Sequence, residues 1–141
     1  MTAYDPQNVF AKILRGELPC EKLYEDDHTF AFMDIMPRGD GHCLVIPKSP
    51  ARTIIDIGAD SLGHLARSVQ IVARAAKSGM QADGLTILQF NESAGGQVVF
   101  HIHVHIIPRW TGVELKPHTG DMAPKETLVA HAAKIRAALS A

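Results

Sequence analysis

Apolar and polar positions alternate most strictly in the run Phe100-His101-Ile102-His103-Val104-His105-Ile106-Ile107-Pro108. Successive side chains of an extended strand point to opposite faces. Ile102, Val104 and Ile106 therefore share one face, and His101, His103 and His105 share the other, roughly 6.6 Å apart along it. The β-branched face buries well, which fixes the register and is expected to direct all three imidazoles outward together. Pro108 cannot donate to a ladder and is expected to close the strand. Residues 85–91 form a second apolar run, and the turn cluster over 91–97 leads from it into the histidine strand, so the two strands are expected to be antiparallel neighbours.

Further strands are expected over 22–25, 29–33 and 42–46. Leu62, Leu65, Val69, Val72, Ala73 and Ala76 recur at helical spacing and predict the main helix over about 60–78, stopped by Gly79. Asp5 and Pro6 are expected to cap a short helix running to about Arg15, with Val9, Phe10, Ile13 and Leu14 on one face. Residues 109–122 lack periodicity and contain Gly112, Pro117 and Gly120, so they read as a loop. A closing amphipathic helix over about 124–139 presents Leu128, Val129, Ala132, Ile135 and Leu139, a stripe suited to packing on its own domain or on a partner subunit.

Composition narrows the class. A chain of 141 residues, 46% apolar, suits one domain with a real core. A net charge of −1 leaves no basic field for gripping polynucleotides. No apolar run approaches a membrane span or carries the flanks of a signal segment, so neither a nucleic acid nor a membrane is the expected partner, and the expected location is cytoplasmic. Cys20 and Cys43 have no metal-ligand spacing and are expected to be reduced thiols.

The chemistry is expected on the imidazole face. Imidazole, with an ordinary pKa of about 6.5, serves as nucleophile, base or acid near neutrality. A zinc site drawing on His101, His103 and His42 is the rival reading, and a plain polar strand face is the third. The turn beside the histidines favours an oxyanion over a cation: Asn91 and Gln97 are amides, no cysteine or aspartate is placed to complete a metal site, and Gly95 and Gly96 offer backbone N–H groups for an anion-binding concavity.

The run His101-Ile102-His103-Val104-His105-Ile106-Ile107 resembles in full the His-φ-His-φ-His-φ-φ signature (φ apolar) of the histidine triad (HIT) family of nucleotide hydrolases and transferases. Residues 9–19, 30–35 and 41–48 are similar to the family's first helix and long hairpin, so the likeness covers about 8–110. It implies an α+β, HIT-like fold: a five-stranded antiparallel sheet with helices, extended across a homodimer. The whole of 1–141 then reads as a single HIT domain, with 111–141 as a C-terminal loop and amphipathic helix.

The resemblance also implies a mechanism. His103 would attack the α-phosphorus of a purine nucleoside phosphoramidate or dinucleoside polyphosphate, giving a nucleotidyl-histidine that water resolves. His101 and His105 would orient it, bind phosphate oxygens and assist the leaving group, with His42 in support. Asp34 matches the acid that accepts bonds from ribose hydroxyls. Phe10, Ile13 and Ile35 match the base-pocket walls, and Asn91 and Gln97 match positions that bind the phosphate and sugar region. Val98 stands where many members carry Ser or Thr, and Asn8 and Ala11 stand where some bacterial members carry zinc-binding cysteines, so no metal or other cofactor is expected. His105 argues against the nucleotidyl transferases acting on sugar phosphates, which carry glutamine there. Trp110 and the following loop are expected near the site mouth. The alternative function is a nucleotide-binding regulatory protein with little turnover.

Overall fold

The computed structural model describes residues 2–117 and 120–141. In chain order the elements are α1 (Val9–Leu14), β1 (Lys22–Glu25), β2 (Thr29–Met33), β3 (Cys43–Pro47), α2 (Ala59–Gly79), β4 (Gly84–Leu88), a single 3-10 turn (Ser93–Gly95), β5 (Val104–Arg109) and α3 (Lys125–Leu139). The five strands form one antiparallel sheet in the order β1-β2-β3-β5-β4. This is the fold class the sequence predicts, seen here in one chain. No described helix is long and apolar enough to cross a membrane.

Register sorts the strand residues onto two faces, because residues paired across an antiparallel ladder point the same way. Ala31 pairs Val45, Val45 pairs Val104, and Cys43 pairs Ile106. These side chains, with Ile102, meet Leu65, Val72 and Ala76 of α2 and Leu128, Ala132 and Ile135 of α3 in the main core. Phe30, Phe32, Leu44 and Ile46 take the other face and pack under Phe10 of α1. Leu44 pairs His105, so the histidines belong to this second face.

That face is covered. His101, His103 and His105 are 0%, 6% and 5% exposed, so the expectation of outward imidazoles is corrected. Strand alternation separates two faces but does not say how many layers the domain has. Here α1 and the chain before it supply a third layer over the histidines.

Local boundaries differ for identifiable reasons. β5 starts at Val104, and Ile102 donates its amide to Ala51 O at 2.9 Å instead of to a strand, so His101 and His103 lie on the extended approach to β5. Pro108 lies inside β5, opposite Leu85; pairing with β3 has ended by Ile106, which leaves a side of the strand where no N–H is required. β4 ends at Leu88, since Gln89 and Asn91 bond to each other through their amides. The cap of α1 is Asn8, whose side chain accepts from Ala11 N, while Asp5 takes Gln7 N in the preceding turn. Gly79 is helical: its role is close approach, because a Cβ there would lie 2.7 Å from Lys134 O of α3. Trp110 donates its ring N–H to Gln81 O, beside the end of α2, and not into the histidine cluster.

Candidate functional site

The β2–β3 hairpin and the approach to β5 bring the chemistry together. Asp34 N donates to His42 O at 3.0 Å, which closes the hairpin loop and sets the carboxylate and the imidazole side by side. Gly41, at φ +80°, makes the turn before His42, and a Cβ there would also strike Met80 Cγ at 2.7 Å.

The hydrogen bonds assign each ring's proton, because a carbonyl oxygen only accepts and a backbone N–H only donates. Arg38 N donates to His42 Nδ1 at 3.0 Å, so His42 is neutral and its proton sits on Nε2. That nitrogen lies 2.9 Å from His105 Nδ1, which must accept; the His105 proton is then on Nε2. His103 Nδ1 donates to His101 O at 2.8 Å, which puts the His103 lone pair on Nε2. His101 Nε2 donates to Pro47 O at 2.8 Å, and its Nδ1 accepts from the Tyr4 hydroxyl at 2.6 Å. Burial holds the His101 pKa below the ordinary histidine value, only partly opposed by the Pro47 carbonyl, in keeping with a neutral ring.

Aromatic edges and one carboxylate complete the surroundings. Phe10 meets His103 edge-on at 4.9 Å between centroids, and Phe90 lies 5.4 Å from His105. Asp34 Oδ2 is 3.4 Å from His42 Nε2 and 4.0 Å from His105 Nδ1, placing negative charge beside the relay, while Oδ1 accepts from Met36 N. Ile35 is 47% exposed at the rim, and Ile13 packs into the second core beside Phe10.

Asp34, His42 and His105 are the described residues whose donor atoms converge as a metal would require. Their separations bracket the roughly 3.3 Å edge of a tetrahedron with bonds of about 2.0–2.1 Å. The protons oppose the geometry. With Arg38 N–H on Nδ1, His42 holds its only proton on Nε2, and a cation there must either expel the backbone donor or create an imidazolate. The zinc set of His101, His103 and His42 fares no better, since both ring nitrogens of His101 are bonded within the protein.

The loop over 91–97 is built differently from its expected form. Gly95 N and Gly96 N donate to Glu92 O and Ser93 O inside the 3-10 turn, so the anion-binding concavity proposed for those two amides is corrected. Gln97 is 3% exposed; its Oε1 accepts from Glu92 N, and its Nε2 donates to Arg52 O and Val99 O. Asn91 Oδ1 accepts from Ile54 N at 2.8 Å. Both amides therefore brace the loop against residues 52–54. Glu92 adopts φ +66°, ψ 164°, a backbone region nearly reserved for glycine, and is held there by these bonds and by an ion pair to Arg52.

Sequence reasoning missed Tyr4, Arg38 and Phe90. Tyr4 precedes any periodic segment, Arg38 acts through its backbone, and Phe90 read as one more apolar strand residue. Cys43 is a core group: burial, with Asp34 adding to it, pushes its thiol up to about 12. A cleft of about 670 Å³ lined by Met33, Asp40, Lys116, Asp121, Leu128 and His131 includes neither His42 nor His101, His103 and His105.

A match to the HIT domain spans residues 15–112. The chain belongs to the HIT family. A purine nucleoside phosphoramidase of Escherichia coli K12 is 35% identical over 102 residues, covering 72% of this chain and 86% of that protein. An adenylylsulfatase, HINT3, of Arabidopsis thaliana is 38% identical over 117 residues, covering 79% of this chain but 59% of the plant protein's length. In structure, a HIT-like protein of Bartonella henselae, described as involved in cell-cycle regulation, superposes with a TM-score of 0.91 at 49% identity, covering 96% of this chain and 99% of that one. Enzymes and proteins of other description thus share the HIT fold.

Proposed function

We propose that this HIT protein cleaves purine nucleoside phosphoramidates or dinucleoside polyphosphates at the α-phosphorus through a nucleotidyl-histidine on His103. The observation that carries the reading is the His103 Nδ1–H bond to His101 O, which leaves the lone pair on Nε2 and orients the ring. The relatives' phosphoramidase and adenylylsulfatase activities support the reaction class.

In the first step the Nε2–P bond forms as the P–N or P–O bond to the leaving group breaks. The ring then carries positive charge, which the His101 carbonyl stabilises through Nδ1–H. His105 Nε2–H is the acid that protonates the departing amine or phosphate, and His42 Nε2–H keeps His105 in that tautomer. In the second step water attacks phosphorus and gives a proton back to His105 Nε2, the Nε2–P bond breaks, and the mononucleotide leaves. Asp34 faces the relay with its carboxylate and is assigned the ribose hydroxyls; Ile35 and Phe10 are assigned the base. His101, fully engaged by Tyr4 and Pro47, supports His103 and does not touch substrate. Asn91 and Gln97 act by shaping the loop. No metal is required by this scheme. A homodimer in the cytoplasm is the setting in which we place it.

The test is intact-protein mass spectrometry after a brief acid quench of the enzyme mixed with adenosine phosphoramidate. The wild type gains the mass of AMP minus water, and His103→Ala gains nothing and loses turnover by about 10⁴-fold or more while still binding AMP. A wild type that binds AMP with no adduct and no product would support the second reading, a nucleotide-binding regulatory protein. Exposed Val98, in place of a hydroxyl residue beside the loop, is the feature that favours it.

A further inference from the structure

The chain before α1 has no regular structure, and among residues 2–7 every side chain but one is exposed. The exception is Tyr4. Its hydroxyl lies 2.6 Å from His101 Nδ1, across 97 positions of sequence, and its ring meets the imidazole edge-on at 5.6 Å. Because His101 Nε2 must donate to the Pro47 carbonyl, Nδ1 of this neutral ring is an acceptor and the phenol is the donor. His101 is 0% exposed, so no solvent proton replaces that bond if it is lost.

The tail is anchored at its other end as well. Asp5 O accepts from Asn8 Nδ2 at 2.7 Å, Pro6 O accepts from Arg15 Nη1 at 2.8 Å, and Asn8 caps α1. α1 in turn sets Phe10 against His103. A single strap thus runs from the back of His101 to the flank of His103, and the His101 carbonyl between them accepts the hydrogen bond from His103 Nδ1.

We infer that Tyr4 is a positioning residue: its hydroxyl fastens the N-terminal strap to His101, locks that ring with its proton on Nε2, and through the His101 carbonyl fixes the nitrogen with which His103 attacks. The inference rests on the reaction proposed above only for its kinetic consequence. The lock itself is a property of the folded protein.

Tyr4→Phe keeps the ring and removes only the donor, so the full chain with that substitution is the variant to compare. Two measurements run side by side: ¹⁵N-imidazole NMR of His101 and His103, and steady-state turnover of adenosine phosphoramidate. In the wild type His101 shows a pyrrole-type Nε2 and a hydrogen-bonded pyridine-type Nδ1, and His103 shows the reverse pair. In Tyr4→Phe the His101 Nδ1 signal moves and His103 shifts towards a mixture of tautomers. There kcat falls about tenfold while KM stays within twofold, a split that mere loss of stability would not produce at a temperature where the variant is fully folded. Unchanged ¹⁵N signals of both rings in the folded variant overturn the inference, as does unchanged kcat where the wild type turns over. A wild type without turnover defeats the proposed reaction, and the NMR result still decides for or against the lock.

Discussion

His42 tests whether the relay, and not only the nucleophile, is correctly drawn. It is 1% exposed and makes two bonds of opposite sense: Nδ1 accepts from Arg38 N, and Nε2 donates to His105 Nδ1. Leucine at this position removes both. Each buried bond lost in this way costs about 1–3 kcal/mol, so His42→Leu is expected to be less stable by about 2–5 kcal/mol. It also removes the donor that fixes the His105 tautomer, and misplacing a general acid costs about 10²–10³-fold in rate. Glutamine separates the two effects. Its amide nitrogen lies at about the reach of Nε2 and donates to His105, but its oxygen cannot also meet Arg38 N–H. His42→Gln is therefore expected to lose about 1–3 kcal/mol of stability yet to keep kcat within about tenfold of wild type. Urea unfolding gives the first quantity and phosphoramidate turnover, at a temperature where all three proteins are folded, gives the second. Equal loss of kcat in the two variants would refute the tautomer argument, and full activity in His42→Leu would remove His42 from the mechanism.

Three further outcomes are expected. Asp26 ties the β1–β2 turn to α2: burial acts to raise its pKa, but bonds from the amides of His28 and Thr29 and the hydroxyls of Tyr24 and Thr29 outweigh it and hold the carboxyl at about 2. A depressed carboxylate stabilises the fold above its ordinary pKa and loses that contribution as pH falls through the folded value. The gap between wild type and Asp26→Asn, about 1–2 kcal/mol after allowing for its partial exposure, should be full at pH 6 and shrink between about pH 4 and pH 2; a gap independent of pH refutes the assignment. Gly79→Ala should destabilise by about 1–3 kcal/mol because its Cβ meets the α3 backbone at 2.7 Å, whereas Gly63→Ala, exposed in the same helix with nothing within 4 Å, should gain about 0.5–1 kcal/mol; calorimetry showing equal effects would deny the close approach. Asp34→Ala should weaken AMP about tenfold in isothermal titration and leave inorganic phosphate nearly unchanged, and equal weakening would count against a ribose contact.

Legibility followed the range of the interactions involved. The faces of β5 and of both long helices were largely readable because period-2 and period-3.6 patterns are local: Ile102, Ile106, Leu65, Val72 and Ile135 all sit in the core they predict, while Val129, expected on the stripe of α3, is 40% exposed. The closing of β2 on β3, which joins Asp34 to His42, was legible only through the likeness of residues 30–35 and 41–48 to the family's long hairpin. What did not follow was anything fixed by a partner distant in sequence. Burial of the imidazole face depends on α1 and Tyr4, Gly79 answers to Lys134, and the side chain of Gln97 bonds to Arg52 O. Pattern told which residues share a face. It could not tell what lies on top of them.

The three histidines make the same point about chemistry. They occupy equivalent places in one alternating run, and as a sequence nothing separates them but order. Each is differentiated by the group that meets its inner nitrogen: a phenol and a carbonyl hold both nitrogens of His101, a carbonyl accepts a hydrogen bond from His103 Nδ1 and directs a lone pair outward, and His42 donates a hydrogen bond to Nδ1 of His105 so that its proton sits on Nε2. In the reaction proposed above, a nucleophile and an acid thus arise side by side, their rings 4.9 Å apart, from identical side chains in a common fold. The difference is set by donors and acceptors that never touch the substrate: Tyr4, Pro47 O and Arg38 N. If His103 attacks as proposed, substitution at these supporting positions with the triad intact is expected to lower turnover more than nucleotide binding.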